Sequence, residues 1–172
     1  AAAYEGGYFK HEIIPMEVEV EGKKVMHEVD EGLGPNASLQ AISELKPLVE
    51  GGLITAASSS QICDGAAAVL VVSERALKQY GLKPLARIHD MTVVGSDPTM
   101  VLEGPIPATR KILERTGLKI TDIDIYEVNE AFGSVPLAWA KAIGADVKKL
   151  NVNGGAQALG HPLGATGAKL MG

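Results

Sequence analysis

From Ala66 onward the chain alternates short runs of small and β-branched residues with amphipathic stretches that end at glycine, an order that an α/β sheet accommodates and an all-helical or all-β fold does not. Residues 66–72 form a continuous small and β-branched run, as expected of a strand buried on both faces. Ser73 then caps a short helix that stops at Gly81, and residues 85–94 read as the next strand. A helix follows over Pro105–Thr116, with Ile106, Thr109, Ile112 and Leu113 on its inner stripe, and residues 123–128 read as a third strand. Residues 131–143 are nearly all apolar and close at Gly144, which predicts a helix buried between two layers.

The first third is organised differently. Residues 9–29 alternate Ile13, Val18, Val20, Val25 and Val29 with charges around a break at Glu21-Gly22-Lys23-Lys24, the pattern of a β-hairpin with one wet face. Asn36 or Ser38 caps a helix carrying Leu39, Ile42, Leu45 and Val49, kinked or shortened at Pro47 and ended by Gly51-Gly52. No apolar run approaches the ~20 residues needed to span a bilayer, and neither a secretory nor a transit signature is present at the start. A net charge of −5 without a basic cluster argues against nucleic acid or anionic lipid as the main partner. The single cysteine, Cys63, fits a reducing compartment and is expected to pack inertly among apolar neighbours.

One segment serves something other than packing. Residues 151–168 hold Gly154, Gly155, Gly160, Gly164 and Gly167 around a single imidazole, His161. Each glycine in a regular element costs roughly 0.5–1 kcal/mol relative to alanine, so a core segment would not choose this composition. Either the loop is a phosphate cradle of backbone amides, or it presents His161 to a reacting carbonyl. Neither nucleotide-binding glycine fingerprint is met, which disfavours the cradle. Pro162 and Gly164 read as the start of a helix over residues 165–171, whose positive end would hold His161 as a neutral ring. His11, His27 and His89 lie in polar surface contexts, no pair has metal-ligand spacing, and no metal site is expected.

The same segment, Asn151 to Ala168, resembles the signature of the thiolases, the acyl-CoA acetyltransferases that make or cleave 3-ketoacyl-CoA. Three further stretches follow the family's order. Ser58 to Ala68 is similar to the segment that begins the family's C-terminal half, Gly104-Pro105-Ile106-Pro107-Ala108 to its Gly-Pro-x-Pro-Ala helix entry, and Asn129-Glu130-Ala131-Phe132 to its Asn-Glu-Ala-Phe motif. The resemblance implies the layered αβαβα thiolase fold, present here in part. Residues 1–54 would be the end of a loop domain that covers coenzyme A, and residues 55–172 the C-terminal half short of its last strands.

The resemblance also implies roles. His161 would activate a nucleophilic cysteine and, with a water held by Asn129, bind the thioester oxygen. Ser60 would touch the pantetheine arm of CoA, and Phe132 would wall the acyl pocket. Glu130 would be a structural carboxylate, with Gly160 and Pro162 shaping the site around His161. CoA and acyl-CoA enter as substrates, and no bound cofactor is implied. The complete protein would be a homodimer or homotetramer in the cytoplasm, or in the mitochondrial matrix or peroxisome of a eukaryote, serving lipid metabolism such as fatty acid degradation. Two departures qualify this picture. Gly34 stands where the family has an arginine near the adenine end of CoA, and the family's nucleophilic and acid/base cysteines have no counterpart, since Cys63 matches neither. The 172-residue chain alone is therefore expected to be inactive. A non-catalytic thiolase-fold protein that binds acyl-CoA or serves as a partner subunit is the alternative, and a general phosphate-binding α/β domain a third reading.

Overall fold

The computed structural model describes residues 1–34 and 37–172. It begins with a single helical turn, α1 (Ala2–Glu5), followed by a hairpin of β1 (Met16–Val20) and β2 (Lys23–His27). The strands pair antiparallel with Val18 opposite Val25. Their turn takes the left-handed region at both Glu21 (φ 51°) and Gly22 (φ 75°), the twist that matches two right-handed strands joined by two residues. The predicted hairpin is thus present with shorter strands, but both of its faces are wet: Met16, Val20, Val25 and Met26 are all exposed.

Helix α2 (Leu39–Ser43) is capped by the Ser38 hydroxyl, which accepts from the Ala41 amide at 3.1 Å. The other predicted cap, Asn36, lies outside the described residues. This helix ends well before Gly51-Gly52, because Pro47 cannot continue it and instead faces Thr55 in an isolated antiparallel bridge. Helix α3 (Glu74–Tyr80) lies where expected, with Ser73 accepting from the Ala76 amide and Gly81 at φ 61°. Helix α4 (Pro105–Thr116) matches its predicted span, helped by proline at the first helical position and by Gly117 in the left-handed conformation. Helix α5 (Ser134–Ile143) starts three residues later than expected and closes at Gly144.

The core forms where α4 and α5 cover the segment leading to Asn129. Tyr126, Val128, Trp139 and Ala140 are buried there, flanked by Ile106, Ile120, Ile123, Ile143, Ala145 and Leu150. Tyr126 meets Trp139 edge-on at 5.3 Å between ring centroids. Both polar tips find partners, the Trp139 indole donating to Thr109 Oγ1 and the Tyr126 hydroxyl to the Ile120 carbonyl, each at 2.8 Å. Tyr126 also pairs with Leu150 in an isolated parallel bridge beside the start of the glycine-rich segment, and of the strand expected over residues 123–128 this bridge is the part that forms.

Two expectations about layers need correcting. Residues 66–72 and 85–94 form no strand, and no ladder joins them to another segment among the described residues. Leu70, Leu85 and Val93 are consequently exposed at 80%, 101% and 89%. Their sequences are those of buried strands, and a strand's hydrogen bonds and faces are satisfied only by neighbours that this chain does not bring to them. Helix α5 is likewise covered on one side, with Pro136, Trp139 and Ala140 inside and Leu137 exposed. Among the described residues, none before Tyr126 is fully buried.

Candidate active site

Asn129 stands at the end of the segment that carries Tyr126 and Val128 into the core, and the glycine-rich run folds back onto it. One side chain does most of the joining. Asn151 accepts from the Val128 amide at 2.9 Å, donates to the Val128 carbonyl at 2.9 Å, and donates to Glu130 Oε1 at 2.8 Å. It does this from a left-handed backbone (φ 47°), which asparagine tolerates better than most residues. Glu130 Oε2 accepts the Gln157 amide at 3.1 Å, so both oxygens of this half-buried carboxylate are engaged in holding the run. Asn129 is thereby fixed between two residues that are each tied to the same loop.

A second strand-like contact brings the serine run alongside. Ser60 N donates to the Ala131 carbonyl at 3.1 Å and Gly133 N to the Ser58 carbonyl at 2.9 Å, with Ser59 opposite Phe132. The next carbonyl in this run, that of Gln61, accepts the His161 amide at 3.0 Å. The Gln61 side chain donates to the carbonyls of Gly32 at 2.9 Å and Gln157 at 3.3 Å, which links the N-terminal third to the loop.

The half-buried imidazole of His161 is held at both nitrogens. Nε2 lies 3.5 Å from the Asn129 amide nitrogen, and Nδ1 lies 2.7 Å from Thr166 Oγ1. Asn129 Oδ1 is shielded from water and has no hydrogen-bond partner among the described residues. This fits an atom meant for a partner that arrives from outside the chain, since buried polar atoms are otherwise paired. The expected helix-end effect on His161 is not what the structure provides. Helix α6 (Thr166–Lys169) is a single turn that begins five residues beyond the ring, too short and too late for its dipole to act as supposed. A side-chain hydroxyl contacts the ring instead.

The other predicted residues gather here too. Pro162 is buried, and Gly65 packs so closely on it that a β-carbon there would lie 2.9 Å from the proline Cγ. Gly160 adopts φ 78° with its α-carbon against the Cys63 sulfur. Cys63 is half-buried against this backbone and lines a cleft between residues 63–67 and 162–165, so it is not sealed in an apolar core as its neighbours suggested. Gly34 is exposed.

Six of the loop amides are already engaged, which counts against the phosphate-cradle reading. The amides of Gln157, Ala158, Leu159, His161, Ala165 and Thr166 all donate to groups of the protein itself. Lys169 Nζ closes the loop from beyond by donating to the Leu159 carbonyl at 2.8 Å. Beside the site, loss of water contact and the Glu130 carboxylate together raise the pKa of Glu127, in a groove it shares with Ile112, Ile123, Trp139 and Asn129. Sequence reasoning missed Asn151, Gln157, Gln61 and Thr166. Only Asn151 carried a usable signal, a residue able to adopt positive φ shortly ahead of a glycine pair.

Comparison with known proteins places the chain in a family. Residues 1–75 match the thiolase N-terminal domain and residues 82–172 the thiolase C-terminal domain. The chain is 56% identical over 170 residues to the steroid 3-ketoacyl-CoA thiolase of Mycobacterium tuberculosis, covering 99% of this chain and 40% of that protein. It is 42% identical to the human mitochondrial 3-ketoacyl-CoA thiolase, covering 98% of this chain and 43% of that protein. Among solved structures, the acetyl-CoA acetyltransferase of Bacillus anthracis superposes with a TM-score of 0.94 at 39% identity, over 99% of this chain and 43% of that one. Human mitochondrial 3-ketoacyl-CoA thiolase in complex with CoA superposes with a TM-score of 0.86 at 37% identity, over 99% of this chain and 42% of that one. The chain therefore spans well under half the length of these relatives and carries the corresponding part of the α/β thiolase fold. It belongs to the thiolase family.

Proposed function

We propose that the whole protein containing this chain is an acyl-CoA C-acetyltransferase that cleaves 3-ketoacyl-CoA with CoA, or runs the reverse condensation, by ping-pong acyl transfer. The observation that carries this reading is the pairing of His161 Nε2 with the Asn129 amide at 3.5 Å, beside a shielded and unpaired Asn129 oxygen. In the proposed reaction Nε2 takes the proton of a cysteine thiol supplied by the rest of the protein. The resulting imidazolium donates from the same nitrogen to the thioester oxygen as charge develops on it, while Asn129 holds a water that is the second donor. Glu130 acts by holding the loop. Ser60 and Phe132 belong to the substrate wall, a role supported by their backbone connection to the segment that bears Asn129.

The division at residue 54, with the hairpin and α2 lying over CoA, is part of the same reading. The degradative direction is supported by the names of the relatives, several of which are 3-ketoacyl-CoA thiolases. Exposed Leu53, Ile62, Leu85 and Val93 support burial of these faces by the remainder of the polypeptide and by a second subunit, in a homodimer or homotetramer. Among the described residues no helix is long and apolar enough to cross a membrane, and we place the enzyme in an aqueous compartment: cytoplasm, mitochondrial matrix or peroxisome.

A double-mutant cycle on acetoacetyl-CoA thiolysis by the whole protein tests the reading. His161→Ala should abolish acylation, Asn129→Ala should lose roughly 2–4 kcal/mol of transition-state stabilisation with little change in CoA affinity, and the double mutant should be barely worse than His161→Ala. Fully additive losses would assign the two residues to separate steps.

A further inference from the structure

We propose that Thr166 is a positioning residue that holds the neutral His161 ring in the tautomer with its proton on Nδ1, so that Nε2 presents a lone pair toward Asn129. The role rests on the acid–base reading of His161 above. Three contacts carry it. Thr166 is 5% exposed, and its Oγ1 lies 3.0 Å from the Pro162 carbonyl, to which it donates, and 2.7 Å from His161 Nδ1. A hydroxyl has one proton, so an oxygen that donates to a carbonyl must accept from the ring, which requires N–H at Nδ1. On the far side, Nε2 lies 3.5 Å from the Asn129 amide nitrogen, which can only donate and so favours a lone pair at Nε2. Both ends of the ring select the same tautomer. It is the one a base needs: a proton already on Nε2 would leave nothing there to accept the thiol proton.

The short helix α6 acquires a purpose on this account. The Pro162 carbonyl also accepts the amides of Ala165 at 2.8 Å and Thr166 at 3.0 Å, so the turn after His161 fixes the Thr166 side chain in both position and direction. The test is the histidine 15N spectrum of the whole protein, with the His161 signal identified by its loss in His161→Asn, read together with steady-state kinetics. The expected wild-type ring carries its proton on Nδ1. Thr166→Val should remove that preference and lower kcat/KM about tenfold, the effect of one neutral hydrogen bond, while the KM for CoA changes less than about twofold. Thr166→Ser, which keeps the hydroxyl, should restore both spectrum and rate. A wild-type ring protonated on Nε2 would overturn the proposal, as would a Thr166→Val spectrum identical to wild type. Should the valine variant fail to fold, the wild-type and serine spectra still decide. Wild-type turnover by His161→Ala would instead overturn the catalytic reading on which the role rests, and it would leave the tautomer spectrum of the parent unchanged.

Discussion

Replacing Asn151 should cost more stability than replacing His161 or Asn129, because three hydrogen bonds and one backbone conformation depend on it. Asn151→Ala strands the Val128 amide and carbonyl, which sit on a residue only 7% exposed, and frees one oxygen of Glu130. An unsatisfied buried backbone group costs about 1–3 kcal/mol, and placing alanine at φ 47° adds about 1 kcal/mol, so the expected loss is about 3–5 kcal/mol after partial access of water to the gap. Asn151→Gly separates the two parts, since it loses the same bonds without the backbone strain and should be milder by about 1 kcal/mol. Asn151→Asp keeps the acceptor for the Val128 amide but turns an oxygen toward the Val128 carbonyl and the Glu130 carboxylate. The new aspartate should bind a proton more readily in the folded state, so its deficit should shrink as pH falls. Urea unfolding of the whole protein measures all three. An Asn151→Ala protein within about 1 kcal/mol of wild type would refute the idea that this side chain stitches the loop to the core.

Three further outcomes are expected. Burial and the neighbouring Glu130 carboxylate raise the pKa of Glu127 above its ordinary 4.5, so Glu127 should favour the folded state below that value and lose this contribution as pH rises through its raised pKa; Glu127→Gln, compared by unfolding across that range, should flatten the slope. The Arg115 side chain holds the Asp90 carboxyl below its ordinary 3.8, so that contribution is present above 3.8 and lost as pH falls through the depressed value; Asp90→Asn should remove this acid-side loss in the same experiment. Cys63→Ser should keep most of kcat in the whole protein, and a fall beyond about a hundredfold in a folded variant would mean that Cys63 takes part in the chemistry.

What could be read from the sequence follows the range of the forces involved. Helices α3 and α4 were legible because Ser73, Gly81, Pro105 and Gly117 fix their ends by local rules. The end of α2 was not, since the leucine and isoleucine spacing runs on past Ser43 while Pro47 pairs with Thr55 instead. The strands read over 66–72 and 85–94 do not form, because strand pairing depends on neighbours distant in the chain, which no local pattern encodes. At the site, motif and glycine content marked His161, Asn129 and Glu130. The residues that orient them, Asn151, Gln157 and Thr166, act through contacts made across 21, 27 and 5 positions, and their side chains carry no charge to draw notice.

The glycines themselves serve two different ends, and the structure separates them. A β-carbon at Gly155 would fall onto the Glu130 carboxylate, and one at Gly160 onto the Cys63 sulfur, so these two glycines let the loop lie against the protein's own framework. At Gly164 and Gly167 a β-carbon would meet nothing within 4 Å, which leaves room on the side of the loop that faces outward. The distinction is open to test. Gly155→Ala must displace a carboxylate that grips Asn151 and Gln157, so it should lower stability and rate together. Gly160→Ala meets both an essentially glycine-only backbone conformation (φ 78°, ψ 165°) and the Cys63 sulfur, and shrinking the cysteine in Gly160→Ala/Cys63→Ala should recover the packing part of the loss but leave about 1–3 kcal/mol of backbone strain. Gly164→Ala and Gly167→Ala should fold as well as wild type, and any loss they show should fall on KM for the acyl-CoA. Equal stability losses at all four positions would return the loop to a single role, that of a flexible hinge.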